Sequence, residues 1–369
     1  MQIENEWIAD LGYYEPGKPI EEVARELGFD CVDEICKLAS NENSLGPSPL
    51  AVKAMKQAAE KMHFYPDGGS HYLREKLATR LRVHLEEVIV GNGSNELLEM
   101  IATLYLSKGK NIVMADRAFV VYRLAAAARQ AGVKAVPMKA YRHDLDAMLE
   151  AIDEQTRIVF IANPNNPTGT VLEPEEIDGF MRRVPDHVAV VFDEAYIEMM
   201  EPEDQPDLIQ YVRSRPHVYV LRTFSKAYGL AGLRVGYGIA GKREIELLNR
   251  VRQPFNVNAM GQIAALAALD DEAHVEKTRL MVKEGLAFLE QSFGEMKLEI
   301  VPSRANFMLV KVGEGRRVFE ALQRKKVIVR PVAGYAMPEW IRVTVGTAHE
   351  NKRLIHAMKE LMQEGVILS

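Results

Sequence analysis

The sequence predicts an α/β fold with a mainly parallel central sheet and a smaller α/β domain, and three observations carry that prediction. Short β-rich runs alternate with helical patterns from about residue 88 to residue 240. Several of these runs are continuously apolar, as strands buried on both faces must be. A long helical stretch then leads to a second, shorter set of alternating elements, and 369 residues are too many for one small core.

Taken in order, the strands of the main sheet are expected at Val88 to Val90, Asn111 to Met114, Val133 to Val136, Arg157 to Ala162, Val188 to Phe192, Val218 to Leu221 and Val235 to Ile239. Strands alternating with helices in this way predict a sheet wrapped by helices. After Pro254 a helical pattern runs from Asn258 to about Phe293, interrupted at Asp270-Asp271. The second lobe has strand candidates at Asn306 to Val310, Val327 to Val329 and Ile341 to Thr344, with helices around Arg316 to Gln323 and His349 to Glu364. The expected division is an N-terminal arm and small-domain segment over 1–44, a large ligand-binding domain over 45–257, a connecting helix over 258–294 and a small C-terminal α/β domain over 295–369.

Composition narrows the function. A net charge of −6, with no basic stripe, argues against a nucleic-acid or membrane-surface binder and leaves small molecules as the expected partners. Cys31 and Cys36 have no further Cys or His pair at ligand spacing, and no HExxH pair occurs, so neither a disulfide framework nor a metal site is expected. The opening Met1-Gln2-Ile3-Glu4-Asn5-Glu6-Trp7 lacks a basic and then apolar leader, and no run of about 18 apolar residues exists, so a cytoplasmic location is expected.

Ligands of open α/β sheets collect beyond the carboxyl ends of the strands, so the residues following each strand are the informative ones. Lys226 lies in Thr223-Phe224-Ser225-Lys226-Ala227-Tyr228-Gly229, directly after an apolar run, with Arg234 eight residues on. A lysine so placed can be held partly desolvated, which favours the neutral amine needed for a Schiff base. The hydroxyls and Arg234 suit a phosphate, and pyridoxal 5'-phosphate joins a carbonyl to one. Gly91-Asn92-Gly93-Ser94-Asn95-Glu96 opens a helix after a strand and reads either as an anion site or as a plain helix cap. Asn163-Pro164-Asn165-Asn166-Pro167-Thr168-Gly169 reads either as a structural turn or as a loop offering the Asn166 amide to a ligand. Asp193 ends the run Val190-Val191-Phe192, with Tyr196 three residues on; a carboxylate there needs a cationic or protonated partner, which a pyridinium nitrogen would supply.

Two nucleotide-like patterns are rejected. Gly236-Tyr237-Gly238-Ile239-Ala240-Gly241 satisfies GxGxxG, but no acidic residue lies between Leu247 and Leu269, where a ribose-binding acid belongs. Read instead as a phosphate-binding loop extended through Lys242, it has Arg243 where a Mg²⁺-binding Ser or Thr is required.

The Asn-Pro-Asn-Asn-Pro-Thr-Gly, Phe-Asp-Glu-Ala-Tyr, Thr-Phe-Ser-Lys and Gly-Leu-Ala-Gly-Leu-Arg-Val-Gly-Tyr segments together resemble the three-layer, fold-type I pyridoxal-phosphate aminotransferases, from about Tyr13 to Thr347. Within that group the chain is most similar to the histidinol-phosphate aminotransferases, through Tyr14-Glu15-Pro16-Gly17-Lys18-Pro19, Asn41-Glu42-Asn43, Tyr65-Pro66-Asp67 and Ile341-Arg342-Val343-Thr344-Val345-Gly346-Thr347. The resemblance implies Lys226 as the Schiff-base and proton-transfer lysine, Asp193 at the ring nitrogen, Tyr196 and Asn166 at the 3′-oxygen, and Phe119 stacked on the ring. It implies Thr223, Ser225, Arg234 and the Gly93-Ser94-Asn95 amides as phosphate ligands. Asn95 stands where many members have an acidic residue, and Arg117-Ala118 replaces their common Pro-Thr; neither change removes an essential group.

Tyr65 matches the family tyrosine that reaches the neighbouring subunit's cofactor phosphate, which implies a homodimer with shared sites. Arg342 matches the arginine that binds the α-carboxylate of glutamate, and the same pocket, with Arg330, Tyr14, Asn43 and Asn166, is expected to take the phosphate of histidinol phosphate. Arg330 also reads as a solvated strand end. The implied reaction exchanges an amino group between L-histidinol phosphate and 2-oxoglutarate or glutamate, in histidine biosynthesis. An aromatic amino-acid aminotransferase and, further off, a threonine-phosphate decarboxylase remain as alternatives on the same scaffold.

Overall fold

A computed structural model describes residues 6–9, 11–12 and 17–367. Strand β1 (Cys36–Lys37) precedes the seven strands of the large sheet, β2 (Val88–Gly91), β3 (Asn111–Ala115), β4 (Gly132–Val136), β5 (Thr156–Ala162), β6 (Ala189–Asp193), β7 (Val218–Thr223) and β8 (Gly236–Ala240). The small lobe adds β9 (Ile300–Val301), β10 (Phe307–Lys311), β11 (Val327–Ile328), β12 (Arg330–Val332) and β13 (Met337–Thr344).

The large sheet has the order β2-β8-β7-β6-β5-β3-β4. Its neighbours run parallel except β8, which is antiparallel to both β7 and β2. The apolar runs are continuous because both faces are covered. Val190 and Phe192 of β6 enter one core with Val159, Ile161, Val218 and Val220, whereas Ala189 and Val191 enter the other with Ile158, Phe160, Tyr219 and Leu221. This is the two-residue period of a strand, read out on two opposite faces. Helices Ser94–Tyr105 and Val120–Ala127 cover the second face; His71–Leu81, Pro174–Met181 and Ala259–Ala268 cover the first. The sheet is thus the middle of three layers.

The helical stretch expected from Asn258 forms two helices, Ala259–Ala268 and Glu272–Glu295, broken at Asp270-Asp271 as the sequence indicates. Asp271 is the reason for the restart: its carboxylate accepts from the His274 N–H at 3.3 Å and so caps the second helix, while also accepting from Ser48 Oγ at 2.6 Å. Val282 on this helix packs in the large core, and Leu289 and Phe293 pack in the small-lobe core. One helix is therefore anchored in both.

The small lobe is a four-stranded sheet ordered β12-β13-β10-β9, with β1 and β11 paired in parallel beside it. The single strand expected at Val327 to Val329 is two: Val327 and Ile328 pair with β1, while Arg330–Val332 turns to pair with β13. β13 also starts at Met337, earlier than expected, because Pro338 and Glu339 are exposed and interrupt the apolar pattern without ending the strand. Helix Ala348–Gln363 opens with a capping box in which the Thr347 hydroxyl accepts from the Glu350 N–H and the Glu350 carboxylate accepts from the Thr347 N–H.

Candidate active site

The carboxyl ends of β2, β3, β5, β6 and β7 open on one edge of the large sheet, and antiparallel β8 begins there. They meet the small lobe around a cavity of about 200 Å³. Phe119, Asn166, Asp193, Tyr196, Thr223, Ser225, Lys226 and Arg234 line it from the large sheet, with Ser94 and Asn95 at a helix start and Arg330 and Arg342 from the small lobe.

Lys226 follows β7 in a loop that two neighbours hold. Gly229 has a φ of +69°, and a Cβ there would stand 2.1 Å from the Gly46 carbonyl oxygen, so only glycine fits. The Asn43 amide donates to the Ala227 carbonyl at 2.9 Å and to Thr278 Oγ1 at 2.9 Å. Lys226 Nζ lies 3.3 Å from the Ser40 carbonyl oxygen and 5.5 Å from the centre of the Tyr196 ring. Burial pushes its amine down to about 8, and the positive charges of Arg342 and Arg234 push the same way against the pull of Glu42 and Asp193. A neutral, nucleophilic amine is thus accessible near neutral pH.

Asp193 is 5% exposed, at the last position of β6. Its Oδ2 accepts from the Tyr122 hydroxyl at 2.7 Å and its Oδ1 from the Ala195 N–H at 3.2 Å. Burial raises its pKa, opposed by those two donors and by the charge of Lys226. Tyr196 is buried beside it; its hydroxyl accepts from the Asn41 amide at 2.9 Å, and burial pushes that phenol up to about 12.

An anion corner lies across the cavity. Helix Ser94–Tyr105 begins here with the free N–H groups and positive end of its dipole. Thr223 Oγ1 accepts from the Ser225 N–H at 3.1 Å, and Arg234 Nη1 lies 3.5 Å from Ser225 Oγ. Two glycines make the packing feasible. A Cβ at Gly93 would stand 2.6 Å from Arg234 Nη2, and one at Gly236 would stand 2.4 Å from the Ser94 nitrogen. The GxGxxG pattern is accounted for in this way: Gly236 is a strand position that lets a helix start approach, Gly238 is a strand position packed under Leu221, Ile89 and Leu97, and Gly241 is the N-cap of another helix.

On the small-lobe side Arg342 is 7% exposed, with Nη1 donating to Asn166 Oδ1 at 2.6 Å and Nη2 to the Ala39 carbonyl at 2.9 Å. Its guanidinium sits 5.3 Å from the centre of the Phe307 ring. Arg330 is its register partner on β12, and a Cβ at Gly17 would stand 3.4 Å from Arg330 Nη1.

Among the described residues, the expected Gly93, Asn43 and Tyr65 do not line the cavity. Asn43, expected at the substrate, instead donates its amide to Ala227 and Thr278 behind the lysine loop, the geometry of a loop support. Tyr65 is 83% exposed and stacks on Phe255 at a centroid distance of 4.8 Å, outside the cavity of this chain. Tyr14 lies outside the described residues. The cavity adds residues that motif reading missed, above all Asn41, Tyr122 and Tyr335. Asn41 sits in the quoted Asn41-Glu42-Asn43 triplet, but its left-handed φ of 55°, which turns it inward, is invisible in sequence. Among the described residues no group of three or more His, Cys, Asp or Glu is placed to hold a metal ion, and no helix is long and apolar enough to cross a membrane.

A family model described as aminotransferase class I and II matches residues 33–358. The chain is 49% identical over 359 residues to histidinol-phosphate aminotransferase 2 of Pseudomonas fluorescens, covering 97% of each chain. It belongs to the class I and II aminotransferases and, within them, to the histidinol-phosphate aminotransferase family. A relative of the same name from Akkermansia muciniphila is 50% identical, covering 97% of this aminotransferase and 98% of the relative. The crystal structure of histidinol-phosphate aminotransferase from Sinorhizobium meliloti in complex with pyridoxal-5'-phosphate superposes with a TM-score of 0.90 at 27% identity, over 99% of this chain and 98% of that one. The three-layer fold of this aminotransferase is therefore the fold of that enzyme.

Proposed function

We propose that this aminotransferase exchanges an amino group between L-histidinol phosphate and 2-oxoglutarate or glutamate, with pyridoxal 5'-phosphate as cofactor, in histidine biosynthesis. The residues present suit that cofactor on three counts. A buried carboxylate, Asp193, stands ready for a protonated ring nitrogen. A partly desolvated amine, Lys226, faces the same space. A helix start with Thr223, Ser225 and Arg234 forms an anion cradle into which a Cβ at Gly93 would intrude.

Pyridoxal phosphate supplies, when bound, an aldehyde that condenses with amines and a ring that draws electrons from the attached carbon. The chain's residues do the rest. Lys226 Nζ would be the amine that holds the aldehyde, and the same amine would carry the proton to and from the substrate Cα. Asp193 would keep the ring nitrogen protonated, and Phe119 would cover the ring. Tyr196 and Asn166 would donate to the ring oxygen. Gly93, Ser94, Asn95, Thr223, Ser225 and Arg234 bind the phosphate. Arg330 and Arg342 bind the far anion of the substrate, whether the phosphate of histidinol phosphate or a carboxylate of glutamate.

The observation that carries the substrate reading is the placement of two guanidinium groups, Arg330 and Arg342, at one wall of the cavity that holds Lys226. A transamination panel tests it, with histidinol phosphate and phenylalanine as donors and 2-oxoglutarate as acceptor; preference for phenylalanine would overturn it. A second chamber of about 740 Å³ adjoins the site at Arg330 and Tyr335, and its lining mixes the apolar Val120, Phe319, Ile328 and Pro331 with the cationic Lys18 and Arg316.

A homodimer in the cytoplasm completes the proposal. Phe64 (67%), Tyr65 (83%) and Tyr72 (69%) are exposed on the large domain, Tyr65 stacked on Phe255, and a partner subunit would cover such aromatic surface. Sedimentation at micromolar concentration is expected to give twice the chain mass.

A further inference from the structure

The second oxygen of Asp193 is claimed by a residue that the reaction scheme leaves out. Tyr122, on helix Val120–Ala127, is wholly buried, and its hydroxyl donates to Asp193 Oδ2 at 2.7 Å. Its ring cannot swing aside. It stacks on Phe160 with centroids 4.6 Å apart and planes 3° from parallel, and Phe119 meets its edge at 5.8 Å and 86°. A side chain clamped in this way holds its donor at a fixed point.

We propose that Tyr122 is a positioning residue for Asp193: it fixes the carboxylate plane and stabilises its ionised form, so that the ring nitrogen of the cofactor meets an anion already aimed at it. The charged and titratable groups facing Asp193 are few. Lys226 stands across the cavity, Tyr196 beside it donates nothing to the carboxylate, and Glu194, next in the chain, has its own charge met by Arg222 Nε at 2.7 Å. Among the described residues the other donor to Asp193 is the Ala195 N–H at 3.2 Å, and Tyr122 supplies the shorter bond. Burial without that donor favours the protonated acid, which cannot accept a pyridinium N–H.

The inference rests on the pyridoxal-phosphate reading, and its test separates the two. The apoproteins of wild type, Tyr122→Phe, Asp193→Ala and the double variant are titrated with pyridoxal phosphate and followed by absorbance. Tyr122→Phe keeps both ring contacts, so thermal midpoints of the apoproteins are expected to match. It is expected to weaken cofactor binding about tenfold when Asp193 is present, the scale of a hydrogen bond to a charged group, and by less than about twofold in the Asp193→Ala background. In turnover kcat falls while KM for the amino donor holds, and the acid limb of the kcat/KM profile moves to higher pH because the ionised carboxylate has lost a donor. Unchanged affinity for Tyr122→Phe, or an equal loss in both backgrounds, overturns the positioning role. A wild-type apoprotein that fails to bind pyridoxal phosphate overturns the cofactor reading itself, and this inference with it.

Discussion

Arg330 and Arg342 are register partners on antiparallel strands β12 and β13, two like charges placed opposite each other at the wall of the active-site cavity. An anion bound at this wall would meet both guanidinium groups. Replacing Arg330 with Ala is therefore expected to raise KM for histidinol phosphate about tenfold or more, on the scale of one charge-assisted hydrogen bond, with kcat much less affected. Steady-state kinetics with histidinol phosphate as the varied donor checks it.

The lowered pKa of Lys226 sets a pH dependence. The nucleophile is the neutral amine, which an unshifted lysine would supply only above pH 10, whereas an amine at about 8 supplies it from near neutrality. The rate at which apoprotein captures pyridoxal phosphate is thus expected to rise through pH 7 and level off above about 8. Replacing Arg342 with Ala removes a repelling positive charge, so the midpoint should move up. A rate still climbing steadily to pH 10 in the wild type would show that the amine is not held partly desolvated.

Asn43 separates a supporting role from a contact role. Its amide holds the Ala227 carbonyl next to the lysine, and Thr278 Oγ1 also reaches that carbonyl at 3.4 Å, so Asn43→Ala should cost about 0.5–1.5 kcal/mol of stability, the net worth of a lost hydrogen bond, and loosen the lysine loop. KM for histidinol phosphate should not change. A selective rise in that KM, with stability intact, would return Asn43 to the substrate.

Gly93 is expected to tolerate nothing larger. An alanine there faces the positive φ of 75° and a guanidinium nitrogen at 2.6 Å, so Arg234 must move out of the anion corner. Loss of pyridoxal-phosphate affinity of about tenfold or more, with much smaller loss at Gly232, where a Cβ meets nothing within 4 Å, is the expected contrast in a fluorescence titration.

Much of this molecule was legible in its residues, for physical reasons that also mark the limits. Val190, Val191 and Phe192 announce a strand buried on both faces because nothing else packs a continuous apolar run so short, and the carboxylate that ends it stands out as a cost to be met. Asp270-Asp271 marks a helix break because aspartate caps a helix start. What the residues could not show was geometry across the chain. Asn41 and Asn43 look equivalent in sequence, yet a left-handed backbone at one sends its amide to Tyr196 and leaves the other to the lysine loop. Tyr122 reads as one more core aromatic until the end of β6 is seen beside it. Arg234 reaches the anion corner because β8 runs against its neighbours and begins where they end. The pairing of Arg330 with Arg342 was hidden by Pro338 and Glu339, exposed residues, one without an N–H and one charged, that disguise the start of β13.

Amino transfer from histidinol phosphate at Lys226 is tested most directly by glutamate formation from 2-oxoglutarate by the cofactor-loaded enzyme. Wild type supplied with histidinol phosphate should form glutamate in step with loss of the amine, and Lys226→Ala, loaded with the same cofactor, should form none above background. Glutamate formation that survives Lys226→Ala, or a wild type that releases CO₂ from a phosphorylated amino acid without consuming 2-oxoglutarate, would contradict it.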